Sequence, residues 1–197
     1  TKALLALGSR DETVSIVDTA SGERSRHLEG LHTSDITSVA FSPDGTLLAI
    51  GSDDGSASLV TVESGERARH LADLHTDAIL SVAFSPDGTL LALGSDDKTV
   101  SLVEVETGAR KRHMEGMHRE GILSVAFNPN GRQLAIGSED MSASVMDVWL
   151  VQTGQRIHHL ERLHSSGVCS VEFSPDGKLL ALGSEDKTVS IVDSASG

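Results

Sequence analysis

The run FSPDGTLLA that begins at Phe41 is spelled again from Phe84, and returns as FNPNGRQLA at Phe127 and FSPDGKLLA at Phe173. Phe41, Phe84 and Phe127 lie 43 residues apart, and Phe173 follows after 46. A fixed period in the low forties means that each unit is one supersecondary motif that buries its apolar face only against its neighbours. Each unit divides into four short β-favouring runs, as in ITSVAF from Ile36, LLAIGS from Leu47, ASLVTV from Ala57 and ERARHL from Glu66. Runs of this length are too short for helices and suit strands. SPDG places Pro at the second and Gly at the fourth turn position, the signature of a type I turn, so the first two runs form a hairpin.

Four-stranded antiparallel units repeated in this way are the blades of a β-propeller, and the expected class is all-β. Counting runs gives an incomplete arc: three full blades and two partial ones, with units near residues 1–31, 32–74, 75–117, 118–163 and 164–197. The first lacks its inner strand and the last its outer strand. Open sheet edges invite pairing, so further repeats of the chain or another copy are expected to close the ring. Leu4 to Gly22 also matches Leu179 to Gly197 at all but three positions, as expected of a window on a longer tandem array.

The units resemble WD-repeat blades, and the likeness runs through the whole chain. The family pattern sets a His before the first strand, FSPDG after it, a GS-x-D-x-T turn, then Trp-Asp before x-T-G. The His is matched by His32, His75, His118 and His164, and the turn Asp by Asp11, Asp54, Asp97, Asp140 and Asp186. The departures are systematic. Leu31, Leu74, Met117 and Leu163 replace the Gly before the His, and Val17, Val60, Val103 and Val192 stand at the Trp position, where only Trp149 is read as aromatic, with Leu150 after it. The resemblance implies a hydrogen-bonded tetrad of His, Asp, a strand Ser or Thr, and Trp in each blade. Here the Ser/Thr position holds Leu7, Ile50, Leu93, Ile136 and Leu182, so hydroxyl and indole are lost together. The remaining pairs His32–Asp54, His75–Asp97, His118–Asp140 and His164–Asp186 are expected to be structural ties, not catalytic groups.

Other constellations are weak. A repeated His-x4-His (His27/His32, His70/His75, His113/His118, His159/His164) puts side chains on opposite faces of a strand, so metal ligation is not expected. SDDGS and SEDKT lack the alternating acids of a calcium loop. No phosphate loop, nucleophile elbow or zincin motif is present, so neither an enzyme nor a cofactor is expected. The fourth runs hold Arg24, Arg26, Arg67, Arg69, Arg110, Lys111, Arg112 and Arg156, half of the 16 Lys and Arg, read as protection of an outer edge. Between Ser138 and Trp149 the chain runs three residues longer than its equivalents, read either as an extended turn near Met141, Met146 and Trp149 that forms a further contact point or as drift in a buried strand.

Function follows from charge and resemblance. A net charge of −13 excludes nucleic acid as a natural partner and favours basic protein surfaces. The candidate face carries Asp53, Asp96, Glu139 and Glu185 beside the turn Asp, with Asp35, Asp77 and Glu120 in the loops after each His. One cysteine, Cys169, points to a reducing compartment, cytoplasm or nucleus, and no run suits a membrane. The expected role is a non-enzymatic scaffold in a larger assembly. The alternative is a peptide- or substrate-reading module such as a ligase receptor, which needs a central pocket lined by aromatics.

Overall fold

The computed structural model describes residues 3–148 and 156–197. Among these, eighteen strands and no helix are present, arranged as five antiparallel sheets. The first sheet has three strands, β1 (Leu4–Gly8), β2 (Val14–Asp18) and β3 (Arg24–Leu28). The second holds β4 (Ile36–Phe41), β5 (Leu47–Ser52), β6 (Ala57–Thr61) and β7 (Arg67–Leu71), and the third β8 (Ile79–Phe84), β9 (Leu90–Ser95), β10 (Val100–Glu104) and β11 (Arg110–Met114). The fourth holds β12 (Ile122–Phe127), β13 (Gln133–Ser138), β14 (Ala143–Asp147) and β15 (Arg156–Leu160), and the fifth β16 (Val168–Phe173), β17 (Leu179–Ser184) and β18 (Val189–Asp193). Strands follow sequence order within each sheet, as expected of propeller blades, and the two outermost sheets leave the arc unclosed.

The turns form as their residues dictate. In Ser42–Gly45 the Gly45 amide donates to the Ser42 carbonyl at 2.8 Å, while the Ser42 hydroxyl donates to Asp44 at 2.6 Å and accepts the Leu47 amide. The turn between second and third strands needs a left-handed residue. Gly55 supplies it freely (φ 79°), whereas Lys98, Met141 and Lys187 adopt it as side-chain-bearing residues.

The core lies between sheets, because a strand that is buried on both faces must meet a neighbour on each. Ala49, Ala57, Leu59 and Leu71 of the second sheet pack on Ile79, Val82, Leu91, Leu93 and Val103 of the third. The same register recurs between third and fourth, where Ala92, Val100, Leu102 and Met114 meet Ile122, Val125, Leu134, Ile136 and Met146. One glycine per sheet lets the layers close. A Cβ on Gly8, Gly51 or Gly94 would stand 2.6, 2.9 or 2.7 Å from the Cγ2 of Ile36, Ile79 or Ile122 in the next sheet. A hydrogen bond crosses at the same level: the amides of Val82, Val125 and Val171 donate to the hydroxyls of Ser38, Ser81 and Ser124, each at 3.1 Å. The initial strands β4, β8, β12 and β16 therefore stand side by side on the inside of the arc.

Basic residues of the outer strands turn out to be clamps. The Arg67 guanidinium donates to the Leu31 carbonyl, Arg110 to Leu74 at 2.7 Å and Arg156 to Met117 at 2.9 Å, each tying the outer strand to its own His-bearing loop. Arg26 and Arg69 reach the Glu63 and Glu106 carbonyls of the following sheet, and His158 reaches Ala195 at 2.8 Å. Guanidinium groups bonded to loop carbonyls protect the edge by bonding as well as by charge.

One sequence expectation is corrected. β14 pairs with β13 so that Ala143 faces Gly137, as Val100 faces Gly94, and the turn after Ser138 has the same length as its equivalents. Met146 therefore occupies the position of Val103, and Asp147 that of Glu104. The extra residues follow β14 and are not in the turn; Trp149 and Leu150 lie outside the described residues. The tandem alternation of small and apolar residues in SASVMDVW allowed both alignments, and pairing with β13 decides between them.

The packing yields a direct test. Replacing Gly94 by Ala should cost about 1–3 kcal/mol, since Ile122 cannot retreat from a Cβ, while Gly183→Ala, where the nearest atom to a Cβ is 3.6 Å away on the uncovered face of the fifth sheet, should change stability by less than about 0.5 kcal/mol. Chemical denaturation of the two variants checks this, and equal effects would refute the sheet-contact account.

Candidate functional site

The loop before each first strand and the turn after each second strand meet through His and Asp. His32 Nδ1 lies 3.0 Å from Asp54, His75 3.0 Å from Asp97, His118 3.2 Å from Asp140 and His164 3.1 Å from Asp186. The imidazoles are fully buried side chains. The second oxygen-bearing partner is the hydroxyl two residues after the Asp: Ser56, Thr99, Ser142 or Thr188, at 2.9–3.1 Å from Nδ1. That hydroxyl gives its own proton to the Asp, at 2.6 Å for Ser56 and Thr99. Nδ1 must then carry the imidazole proton, and Nε2 is a bare acceptor.

Nε2 of all four histidines is buried and meets no partner. The residues four positions before each turn Asp are Ile50, Leu93, Ile136 and Leu182, all buried, so no hydroxyl stands there to serve it. Protonation would place an N–H in this apolar surrounding. Burial accordingly pushes His32, His75 and His118 below the ordinary value of 6.5, against the pull of Asp54, Asp97 and Asp140. A second imidazole and an arginine add to the push: His70 and Arg67, His113 and Arg110, His159 and Arg156. For Asp54, burial opposes ionisation, but hydrogen bonds from Ser56 and the Thr33 amide outweigh it and hold the carboxyl at about 2.

A second row of histidines lies on the outer strands. Ring centroids of His32 and His70, His75 and His113, and His118 and His159 are 6.3, 5.8 and 5.9 Å apart, so the neighbouring imidazoles belong to one sheet and not to one His-x4-His motif. His27, His113 and His159 each sit between a third-strand serine (Ser15, Ser101, Ser144) and a glutamate (Glu29, Glu115, Glu161). His70 has Ala72 where the others have Glu, and the Ser58 hydroxyl beside it is left buried without a partner. Among the described residues no group of three metal-ligating side chains converges.

The acidic residues are only partly gathered. The amides of Asp53, Asp96, Glu139 and Glu185 donate to the carbonyls of Asp35, Ala78, Gly121 and Gly167, which fixes all four turns against the loops after the His. Asp35, Asp53 and Glu185, with Arg10, line one cavity of about 470 Å³; Asp77, Asp96, Glu120 and Glu139 do not. Arg10 pairs with Asp35 at 3.9 Å and Lys98 with Glu120 at 3.0 Å, which offsets part of the charge. The same cavity is lined by Thr37, Leu80, Leu123 and Cys169, residues that motif reading did not single out. Each is the extra residue of a β-bulge in an inner strand, where the register slips between Ile36 and Ser38, Ile79 and Ser81, Ile122 and Ser124, and Val168 and Ser170. A bulge leaves its residue out of the ladder and re-aims its side chain. The sequence shows only that this position varies between Thr, Leu and Cys inside a repeated Ile/Val-x-Ser-Val; the bulge itself depends on the ladder register.

The buried imidazoles set an expected pH response. A base whose folded pKa lies below its unfolded one contributes stability above about pH 6.5, and that contribution is lost as pH falls from the unfolded value through the depressed folded one. The paired carboxylates add a further loss only as pH falls through their depressed folded values. Denaturation curves between pH 7.5 and 5 should therefore show falling stability. The triple variant His32→Asn, His75→Asn, His118→Asn, which keeps a donor for each Asp but removes Nε2, should flatten that dependence, and an unchanged slope would show that the imidazoles do not titrate in this range.

No curated protein matches the chain. The family model described as the IFT122 first beta-propeller matches residues 1–191, nearly the whole chain. The repeated blades, their His-bearing loops and this match agree: the chain belongs to the family of the IFT122 first β-propeller.

Proposed function

We propose that the chain is a non-enzymatic docking scaffold within a multiprotein assembly, and that its acidic loop face receives a basic segment of a partner. The family's fold is that of a protein-interaction scaffold, which supports the general role. The observation that carries the finer reading is the cavity in which Asp35, Asp53 and Glu185 surround the bulge residues Leu80 and Leu123. Carboxylates beside half-buried apolar side chains suit a cation with an aliphatic stem, such as lysine or arginine. The chain's charge of −13 adds long-range attraction for such a segment and repulsion for nucleic acid. No aromatic lines the cavity, which speaks against a module that reads peptides through an aromatic cage. The basic rim is a poorer candidate, since Arg67 and Arg69 already donate to the Leu31 and Glu106 carbonyls. Among the described residues no helix is long and apolar enough to cross a membrane. With an exposed, unpaired Cys169, a reducing compartment, cytoplasm or nucleus, is our reading of its location.

A synthetic peptide alternating Lys and Leu is a suitable probe. Its association rate should fall roughly tenfold on replacing Asp35, Asp53 and Glu185 by Ser, and should fall as salt rises across the physiological range. Arg67→Ser with Arg69→Ser should leave it unchanged. Loss in the arginine variant with retention in the acidic one would transfer the site to the rim.

A further inference from the structure

The second, third and fourth sheets each form the same cavity at their His-bearing loop, which meets the turn after the second strand, the outer strand and the loop into the next sheet. The repeats differ in what lines it. At the fourth sheet a cavity of about 400 Å³ is lined by Arg119, Met141, Arg156 and Arg162, with Asp140 and Glu161. Both carboxylates already have partners. Asp140 accepts the Arg119 amide at 2.8 Å and pairs with His118, and Glu161 pairs with His159 at 2.8 Å. Arg156 is given to the Met117 carbonyl. The guanidinium groups of Arg119 and Arg162 meet no partner among the described residues, and both residues are exposed.

The repeats supply the contrast. At the position of Arg119 the other loops carry Thr33, Thr76 and Ser165, and at that of Arg162 they carry Gly30, Asp73 and Gly116. Cations outnumber carboxylates in this cavity. In the two equivalent cavities carboxylates outnumber cations: Arg67 stands with Asp54 and Asp73, and Arg110 with Asp73, Asp97 and Glu115. The backbone resists the side chains found here. Arg162 has φ 62° where Gly30 and Gly116 have 65° and 68°, and Met141 has φ 69° where Gly55 has 79°. A Cβ is disfavoured in this left-handed region, so an arginine and an apolar side chain are held where glycine fits best. Met141 is 48% exposed.

We propose that this cavity receives a glutamate or aspartate side chain of a protein partner, with an apolar neighbour of that residue set on Met141. A guanidinium binds a carboxylate through two parallel N–H···O bonds, and Arg119 and Arg162 bring two such forks from successive loops. The thioether of Met141 adapts to a range of apolar shapes beside them. A phosphate is a poorer occupant. The Arg119 amide is already given to Asp140, and a dianion would meet Asp140, Glu161 and a chain of net charge −13 with about twice the repulsion felt by a carboxylate. None of Asp35, Asp53 and Glu185 lines this cavity, so the proposal stands apart from the basic-segment reading.

The probe is a fluorescein-labelled, amide-capped peptide alternating Glu and Leu, titrated with the intact chain at low salt and read by anisotropy. Saturable binding is expected, weakened at least about tenfold by Arg119→Gln with Arg162→Gln. Arg119→Lys with Arg162→Lys, which keeps the charge and loses the fork, should weaken it about threefold or more. Arg132→Gln with Lys178→Gln removes the same charge outside the cavity and should leave binding unchanged. Replacing Asp35, Asp53 and Glu185 by Ser should preserve or strengthen it, whatever becomes of the basic segment. Thermal melts of the arginine variants, expected to match the parent, separate lost binding from lost fold. Three results would overturn the proposal: no saturable change up to about 1 mM chain, equal loss in the two charge-removing variants, or tighter binding of a peptide carrying phosphoserine in place of Glu.

Discussion

Everything in this fold hangs on how closely one sheet approaches the next. A glycine in the second strand of the first four sheets removes a Cβ that would strike the residue at the start of the following sheet, the isoleucine Cγ2 at under 3 Å for Gly8, Gly51 and Gly94, and the Val168 carbonyl at 2.7 Å for Gly137. Once the layers are that close, small residues are favoured at Ala49, Ala92 and Ala135, and the bulk comes from Ile, Leu and Val on the opposing face. A chain with no tyrosine and four phenylalanines can therefore be close-packed: the layers leave little room for rings. The serine that accepts an amide across the gap fixes the height of one inner strand against the next, which hydrophobic contact alone would leave free to slide.

The loops that carry His and Asp inherit this spacing and show what its aliphatic packing costs. Filling the strand position with Leu or Ile, and the third strand with Val, improves apolar contact but strips Nε2 of any partner. Each loop is still anchored through Nδ1, the Asp and the neighbouring hydroxyl, and in the second, third and fourth sheets by an arginine clamp from the outer strand as well. The sum is a structure anchored at neutral pH, with an acid-sensitive imidazole in the second, third and fourth sheets. Rigid loops are also what a docking face requires, since a partner then binds without ordering them first.

Much of this was legible before any coordinates. The 43-residue period, the SPDG turns and the short β-favouring runs specified four-stranded antiparallel sheets, because each local signal agreed with the stacking of its neighbours. The spacing of 22 residues between each His and its turn Asp places them in one sheet, where the structure brings them within hydrogen-bond distance. Three features were not legible. The bulge at Thr37, Leu80, Leu123 and Cys169 depends on ladder register, which sequence period does not report. The arginine clamps depend on which carbonyls the arc brings to the outer strands, a tertiary property. The alignment around Met146 failed because Trp149 drew the motif three residues along, and only the pairing of Gly137 with Ala143 resolves it.

The central claim, that stability resides in contacts between sheets, is tested most directly by amide hydrogen exchange resolved along the intact chain. The account predicts the slowest exchange in β9 and β13, whose sheets are covered on both faces, and much faster exchange in β1 and β17, whose sheets are covered on one. Uniform protection across all five sheets, or protection highest in β1 and β17, would contradict it.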